Sequence, residues 1–302
     1  NPLTASAEGW QWVPLAGTHC ANGNATGFAI NLARRSDELL VFFEGGGACH
    51  DTATCYDRPV ATYIDVDYDK KTFETGPMER AALDTVWPLT QRDNRDNPYR
   101  RAHMAYIPYC TGDLHTGDAV VRYPGAPMPT HHTGAVNARR VLERLAMTFP
   151  NVDRVTLAGV SAGGFGALLH HATATEAFPG VSVDVVVDSG MTFAGQPLPA
   201  SWGVPWPPLC AGCAEDFSRL VERAHSVAPR SRFAYLSYRV DPLLAAYVGV
   251  PALAFARTAA AFAARARLLP RLSTFAAPGY GHVVLWDTLL RPVPWLKAVM
   301  DD

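Results

Sequence analysis

The chain has 302 residues, of which 48% are hydrophobic and 18% are charged, and its formal net charge is −2. A charge so close to zero gives no reason to expect nucleic acid or an anionic membrane as a partner. No apolar run reaches the length of about 18 residues that a membrane span needs, so we expect no stable membrane insertion. The chain begins with Asn rather than Met, from which we expect a processed form that has lost a leader.

Six cysteines fit an oxidised protein outside the cytoplasm. Two pairs are close neighbours in the sequence and the remaining two cysteines are far apart, so the sequence alone selects no pairing. Free buried thiols are one alternative. A zinc site is another, but no second Cys or His pair follows the last two cysteines at a suitable spacing. The cysteines are Cys20, Cys49, Cys55, Cys110, Cys210 and Cys213.

Apolar segments typical of buried strands alternate with helical patterns along the chain. A helix is predicted over 133–149, where apolar residues recur at helical spacing, and an Ala-rich helix over 252–269. This alternation predicts an α/β fold of the α/β-hydrolase type, with a doubly wound, mostly parallel sheet. The first predicted strand ends at residue 33. The others cover 39–43, 103–108, 152–158, 182–188, 233–238 and 272–276.

Two stretches interrupt the alternation. Residues 56–100 are polar, and residues 195–213 are rich in Pro and Trp. Irregular stretches in such folds commonly lie over the carboxyl edge of the sheet, where ligands bind. We therefore predict two inserts, which contribute lid loops to a single domain of residues 1–302.

The run Gly-Val-Ser-Ala-Gly-Gly at 159–164 is the most informative motif. It lies between a β-branched segment and an apolar, Ala-rich one, which predicts a strand, a sharp turn and a helix with Ser161 at the turn. Side chains would clash in so tight a turn, so it needs glycines around the serine. The pattern predicts a nucleophile elbow; a plain helix N-cap is the alternative.

A nucleophilic serine needs a base, and the base needs a carboxylate that fixes its tautomer. In α/β-hydrolases the order is Ser, acid, His, each after a strand. Asp241 and His282 follow the last two predicted strands, so we predict a triad of Ser161, Asp241 and His282. Asp188, one strand after Ser161, is the competing acid in the less usual place. A turn residue at 241 and a surface histidine at 282 are the alternatives.

The run Glu-Gly-Gly-Gly-Ala-Cys at 44–49 follows a predicted strand. Glycines there allow backbone N–H groups to face a reacting centre, as in the oxyanion loops of lipases, and the N–H of Ala162 would be the second kind of donor. A phosphate cradle is the alternative, but the run lacks the Gly-Lys-Ser/Thr ending of such a loop.

These motifs together resemble the pectin acetylesterase/Notum family. The resemblance rests on 44–49, on Tyr-Cys-Thr-Gly-Asp-Leu-His-Thr-Gly-Asp at 109–118, on 159–164 and on Asp-Ser-Gly at 188–190. The run Gly-Thr-His-Cys-Ala-Asn-Gly at 17–23 is similar to the family's N-terminal signature. The similarity spans most of the chain from Gly17 to His282, and the chain is identified as a bacterial member of this family within the α/β-hydrolase superfamily.

The resemblance implies esterase activity through Ser161, Asp241 and His282. It also implies that Gly46, Gly47 and Ala162 donate to the oxyanion. It supports Cys49–Cys55 and Cys20–Cys110 as disulfides, which leaves Cys210 and Cys213.

Several family members have Trp after the glycine pair, where this chain has Gly47. We expect that its absence removes an aromatic side chain from the pocket rim and admits a wider acyl or polymer chain.

One polar cluster could suggest a metal site, but the resemblance gives no metal, and we predict neither a metal nor a cofactor. We expect Asp113 and His115 to order the loop beside the active site or to line the substrate cleft. Asp188 is a further cleft candidate. Trp202 and Trp206 are also candidates, because such rings stack on a sugar or an acyl chain; packing within a lid is the alternative. The cluster consists of Asp113, His115, Asp118, His131 and His132.

We predict a secreted or periplasmic serine carboxylic ester hydrolase that forms an acyl-enzyme on O-acyl esters, such as O-acetyl groups of a polysaccharide. The alternative substrates are longer acyl esters or aliphatic polyesters. The alternative functions are an amidase or peptidase with the same triad and a non-catalytic binding protein on this scaffold. The balance of 26 basic and 28 acidic residues gives no support for acidic pectin in particular. The expected partner is an ester substrate (polysaccharide, polyester or acylated small molecule), without nucleic acid, and the expected state is a monomer.

Overall fold

The computed structural model describes residues 9–76, 79–193, 195–207 and 210–301. Within these ranges, eight strands form one sheet and two form a separate hairpin. The strands are β1 (Gln11–His19), β2 (Ala25–Asn31), β3 (Glu38–Phe43), β4 (His103–Ile107), β5 (Ala119–Val121), β6 (Thr130–His132), β7 (Arg154–Val160), β8 (Ser182–Asp188), β9 (Phe233–Val240) and β10 (Leu272–Tyr280).

The large sheet has the order β1-β2-β4-β3-β7-β8-β9-β10. The six neighbouring strands β4, β3, β7, β8, β9 and β10 of this sheet are parallel to one another. β2 is antiparallel to both of its neighbours, β1 and β4. The predicted doubly wound, mostly parallel sheet is thus confirmed. β3, β7 and β8 are buried along nearly their whole length, which is why they appear in the sequence as continuous apolar runs. The edge strand β1 is not among the predicted strands, because most of its residues are only half-buried or exposed.

Helices pack on both faces of the sheet. Six of the helices in the described residues bury apolar side chains in the core on one face. The helix predicted over 133–149 is confirmed as α3, and its buried face includes Val141, Leu142 and Leu145. The helices are α1 (Lys70–Thr75), α2 (Glu79–Thr85), α3 (Gly134–Thr148), α4 (Ala162–Leu169), α5 (His171–Ala177), α6 (Arg219–Val227), α7 (Pro242–Tyr247), α8 (Ala252–Ala266) and α9 (Pro292–Asp301).

Residues 56–100 lie mostly against the other face of the sheet, not over its carboxyl edge as we predicted. Phe73 and Leu83 of this segment are buried in one cluster with Leu40 and Tyr106 of the sheet. The helices of the segment, α1 and α2, are too short to show a periodic apolar pattern, so the sequence conceals this packing. The beginning of the segment does reach the carboxyl edge.

Residues 195–213 lie beside the loop that follows β3. The indole Nε1–H of Trp202 donates to the carbonyl oxygen of Cys49 at 3.1 Å. The carbonyl oxygen of Trp202 accepts from the N–H of Asp118. The described part of this insert therefore lies at the edge where we predicted it; residues 208 and 209 are outside the described residues.

Disulfides join Cys20 with Cys110, Cys49 with Cys55, and Cys210 with Cys213. The first two are the pairs that the resemblance implies. Cys20–Cys110 joins the chain after β1 to the chain after β4, and Cys49–Cys55 joins the glycine loop to the start of the first insert. None of the helices in the described ranges combines the length and the apolarity that a bilayer crossing requires.

Candidate active site

Ser161 lies in the turn between β7 and α4, at φ 51° and ψ −122°. A side chain at positive φ is uncommon, and here the surroundings impose it. A Cβ on Gly159 would overlap the carbonyl of Gly163, and a Cβ on Gly163 would overlap the carbonyl of Phe43 at the end of β3. The helix therefore begins so close to β7 and β3 that only glycine fits two residues before Ser161 and two residues after it. This is the elbow that the motif predicts.

The structure brings together the three residues of the predicted triad. His282 Nε2 lies 2.8 Å from Ser161 Oγ, and His282 Nδ1 lies 2.7 Å from Asp241 Oδ2. Both contacts are satisfied when Nδ1–H donates to the carboxylate and Nε2 accepts from the serine hydroxyl. Asp241 is buried, whereas Ser161 and His282 are half-buried. Ser161 and His282 are therefore accessible, and Asp241 is shielded from water.

Asp241 has a structural role as well. It caps α7, and its Oδ1 accepts from the N–H groups of Leu243 at 3.1 Å and Leu244 at 2.9 Å. The cap uses one carboxylate oxygen and leaves Oδ2 for His282. The turn residue that we named as the alternative and the triad acid are thus the same side chain with two separate contacts.

Asp188, the competing acid, binds the backbone that follows His282. Its Oδ1 accepts from the N–H of Val284 at 3.0 Å and its Oδ2 from the N–H of Leu285 at 2.7 Å. Its backbone carbonyl accepts from the N–H of Ser161 at 2.8 Å. Burial raises the pKa of Asp188 to about 6, although the two backbone hydrogen bonds lower it. Asp188 therefore joins the elbow to the histidine loop. It is completely buried, so our expectation that it lines the cleft is wrong.

The glycine loop after β3 passes directly beside Ser161. A Cβ on Gly45 would lie 3.3 Å from Ser161 Cβ and 2.8 Å from the carbonyl oxygen of Val160. Gly45 is thus a site residue that the sequence reasoning passed over, although the run of three glycines was the available signal. The carbonyl of Gly46 accepts from the N–H of Thr62 at 2.9 Å.

The three predicted oxyanion donors lie on this loop and at the start of α4. Among the backbone hydrogen bonds of the described loops, none uses the N–H of Gly46, whereas Gly47 pairs with Ala61 in an isolated bridge. Ala162 is the first residue of α4, a position whose N–H has no partner within the helix. The N–H groups of Gly46 and Ala162 are thus candidates for binding a ligand beside Ser161.

Gly47 does not open the pocket rim as we expected. It has φ +75°, and a Cβ at this position would overlap the carbonyl oxygen of Val60. Gly47 also pairs with Ala61 in an isolated bridge. The backbone of the first insert occupies the space where a larger residue would stand, so glycine here reflects close packing and says nothing about the width of the acyl site.

Asp113 orders its own loop. Its carboxylate accepts from the Thr111 hydroxyl at 2.6 Å and from three backbone N–H groups. Burial raises its pKa to about 6 against the effect of these hydrogen bonds.

His115, two residues later, supports the glycine loop from below. Its Nε2 lies 2.8 Å from the carbonyl oxygen of Glu44, and burial lowers its pKa to about 3, so the ring is neutral and donates there. Asp113 and His115 are both buried. Their predicted role in ordering the loop fits this geometry, and their predicted place in the cleft is wrong.

The two tryptophans belong to the packing of the second insert. Trp202 is completely buried and its ring centroid lies 5.8 Å from that of His132, so it cannot contact a substrate and our cleft prediction is wrong for it. Trp206 is half-buried and packs edge-on against Phe217 at 6.0 Å, at the margin of the core. Packing within a lid, the alternative that we named, describes both.

The polar cluster that could suggest a metal is engaged in other contacts. His132 places Nδ1 against the carbonyl of Thr111 and Nε2 against the hydroxyl of Tyr123, both at 2.9 Å. Asp118 forms an ion pair with Arg139. Among the described residues, no three His, Cys, Asp or Glu side chains are grouped so that they could hold a metal ion.

Comparisons with known proteins agree with this architecture. The family model described as Pectinacetylesterase matches residues 13–198. The chain is 28% identical over 185 residues to palmitoleoyl-protein carboxylesterase NOTUM of Homo sapiens. The aligned segment covers 57% of this chain and 34% of that protein. It is 26% identical over 189 residues to pectin acetylesterase 11 of Arabidopsis thaliana. That aligned segment covers 60% of this chain and 44% of the plant protein. The matched part thus spans less than half the length of each of these relatives.

The residues that the family model matches contain Ser161, Ala162 and the glycine loop, but neither Asp241 nor His282. The meeting of all three triad residues is therefore an observation from the structure, independent of that match. Their catalytic roles, like the bacterial origin of the chain, stay predictions.

Proposed function

Because the chain belongs to the pectinacetylesterase family, we propose that it is a serine carboxylic ester hydrolase that forms an acyl-enzyme on Ser161. One observation carries the proposal: His282 lies within hydrogen-bond distance of both Ser161 Oγ and Asp241 Oδ2. This is the geometry in which imidazole takes the serine proton while the carboxylate stabilises the imidazolium that forms.

In the proposed reaction, His282 Nε2 removes the hydroxyl proton as Ser161 Oγ attacks the ester carbonyl. The negative charge that develops on the carbonyl oxygen is stabilised by the N–H of Ala162 and by those of Gly46 and Gly47. His282 then gives its proton to the leaving alcohol. Water, activated by the same imidazole, releases the acid and restores the serine. Each oxyanion donor typically accounts for about 100- to 1000-fold in turnover.

The substrate class that we propose is the O-acetyl ester of a polysaccharide. Its support is the printed name of the plant relatives, pectin acetylesterases. Disulfides and the family suggest an extracellular compartment, and we propose that the protein is secreted and acts there.

Longer acyl esters are the second candidate, favoured by exposed apolar side chains beside the triad. Leu243, two residues after Asp241, is 52% exposed, and Tyr280, two residues before His282, is 73% exposed. The animal relatives are named as palmitoleoyl-protein carboxylesterases. A series of p-nitrophenyl esters from acetyl to palmitoyl separates the two, because an acetylesterase loses kcat/KM as the acyl chain lengthens.

Replacing Ser161 by Ala tests the chemistry. We expect the rate of p-nitrophenyl acetate hydrolysis to fall by at least about 1000-fold, because no nucleophile remains. A fluorophosphonate probe should label the wild type at Ser161 and leave Ser161→Ala unlabelled. Ser226→Ala, on the exposed side of α6, is the matched control and should behave as the wild type. If Ser161→Ala keeps most of the activity, the proposal is wrong; a wild type that cleaves matched amides as fast as esters would instead indicate an amidase.

A further inference from the structure

A cleft of about 400 Å³ lies between residues 85–96 and residues 285–294. The first wall belongs to the insert that covers the sheet, and the second follows directly after His282. Neither wall contains a residue of the proposed triad or oxyanion loop. The side chains that matter for the argument are Pro88, Gln91, Asn94, Asp96, Trp286 and Arg291.

The aromatic wall of the cleft is fixed in place. Trp286 is 50% exposed, and its ring centroid lies 5.2 Å from that of Trp87. Trp87 in turn packs against the buried Phe42 of β3 at 5.6 Å. One side of the Trp286 indole thus rests on Trp87, while half of the residue is exposed and part of it lines the cleft. Water contact at a large aromatic surface is unfavourable, so this surface gains free energy when a ligand covers it.

The opposite wall and the rim are polar. The amides of Gln91 and Asn94 can each donate and accept, the Asp96 carboxylate accepts, and the Arg291 guanidinium donates. The backbone N–H of Asp96 donates to Asn94 Oδ1 at 3.0 Å, which orients that amide and leaves its Nδ2 protons for a ligand.

A sugar ring matches this combination. Its hydroxyls donate and accept around the ring edge, and its C–H faces are apolar and can lie on an indole. An alkyl chain has no hydrogen-bonding groups and an aliphatic polyester has only acceptors, so either would cover acceptors such as the Asp96 carboxylate without pairing them, at a free-energy cost.

The cleft is also close in sequence to the loop that contains His282. Trp286 is only four positions after His282 in the sequence, so their Cα atoms lie within about 14 Å of each other. The N–H groups of Val284 and Leu285, between them, are bound by the carboxylate of Asp188. A polymer held at Trp286 therefore lies at a fixed distance from the base that serves Ser161.

We propose that this cleft binds a strand of polysaccharide through the Trp286 ring and the polar groups opposite it, and presents the ester groups of the strand to Ser161. The binding site stands by itself; the presentation of esters rests on the proposed function.

The binding test uses the full chain with Ser161→Ala, so that the polymer stays intact. Electrophoresis is carried out in gels that contain acetylated pectin, acetylated xylan or no polymer. We expect at least one polysaccharide to retard the protein, and Trp286→Ala in the same background to weaken binding about tenfold, whereas Trp286→Phe keeps part of it. Leu289→Ala is the matched control: Leu289 is 92% exposed on the same segment and does not line the cleft, so its retardation should equal that of the parent.

The proposed cleft is wrong if no polysaccharide retards the protein, or if Trp286→Ala is retarded as strongly as its parent while its thermal unfolding shows that it is folded. Binding to polyester granules that depends on Trp286, without binding to polysaccharide, also overturns it.

A parallel assay of the wild type on p-nitrophenyl acetate separates the two proposals. Retardation that depends on Trp286 in a protein without esterase activity keeps the cleft and removes the proposed function. In an active enzyme, Trp286→Ala should raise KM for the acetylated polymer more than KM for the small ester; an equal change in both would overturn the presentation of esters.

Discussion

The part of the chain up to residue 198 and the part after it position their catalytic candidates in different ways. The first part contains Ser161 directly after β7, a strand that lies between β3 and β8 in the middle of the sheet. Backbone contacts at Gly159 and Gly163 fix the elbow there. The second part contains Asp241 and His282 after β9 and β10, the last two strands, and most residues of the edge strand β10 are half-buried or exposed.

Ser161 is thus held by the packing of main chains, whereas His282 and its loop are held by carboxylates. Asp241 contacts the imidazole itself, and Asp188 binds the backbone just beyond it. From this difference we expect that substitutions of the elbow glycines act mainly through stability, and that substitutions of Asp241 and Asp188 act mainly through the orientation of His282.

The largest effect should come from Asp241→Asn. The amide oxygen can still cap α7, so the fold should persist, but the uncharged side chain neither holds the reactive tautomer of His282 nor stabilises the imidazolium. We expect kcat/KM for p-nitrophenyl acetate to fall about 10⁴-fold, as for the equivalent change in other triads. Steady-state kinetics measure the loss, and thermal unfolding checks the fold. A loss below about tenfold would mean that Asp241 is not the acid.

Gly163→Ala tests the other side of the comparison. The added methyl group would overlap the carbonyl oxygen of Phe43, so α4 must move away from β3. We expect a loss of about 3 kcal/mol or more in the free energy of unfolding, measured with urea. Gly249→Ala is the control: Gly249 has φ +70° but no atom within 4 Å of the added Cβ, so it should cost only about 1 kcal/mol. Equal costs would contradict the claim that packing fixes the elbow.

Asp188→Asn should have a smaller effect on activity. An amide in place of the carboxylate directs N–H groups toward the N–H of Val284 or Leu285, so the loop after His282 loses an anchor. We expect kcat/KM to fall about 10- to 100-fold, mostly through kcat, because the base is misplaced and substrate binding is little changed. The pH profile should change too: protonation of Asp188 as the pH falls through about 6 weakens these anchors in the wild type, and the variant lacks that group.

Asp184→Asn is the matched control for this change. Asp184 is buried on the same strand, β8, but near its other end, where it contacts Arg154 and Arg232. Its replacement should lower stability and leave kcat/KM of the folded protein unchanged. If both variants lose activity in proportion to their stability, Asp188 has no positioning role.

The same contrast explains what the sequence could predict. The elbow, the central strands and the order Ser161, Asp241, His282 are local patterns, and all are found in the structure. The role of Asp188 is not local, because its partners Val284 and Leu285 lie 96 and 97 residues away in the sequence. The burial of His115 and Trp202 likewise depends on tertiary contacts. Their residue types alone therefore led to the prediction that both side chains line the substrate cleft.

Acid should weaken the first part through its buried histidines. Burial lowers the pKa of His171 from 6.5 to about 4, and lowers those of His115, His132 and His170 as well. Below pH 6.5 the unfolded chain binds protons that the folded chain takes up only near pH 4, so the stability present at pH 7 is lost as the pH falls through this window. Asp113 and Asp188 oppose the trend, because their raised pKa values favour the folded state at low pH.

The smallest effect that we predict isolates one of these groups. Across pH 7 to 5, His171→Gln should lose about 2 kcal/mol less stability than the wild type, because the unfolded variant has no imidazole to protonate there. The amide can still donate to the carbonyl of Val183, which His171 Nε2 contacts at 3.2 Å. Thr175→Ala, which removes a hydrogen bond to the His171 carbonyl and no titrating group, should shift stability by the same amount at every pH. Urea midpoints at pH 7, 6 and 5 measure the difference; parallel curves for wild type and His171→Gln would show that this histidine is not the acid-sensitive element that its burial indicates.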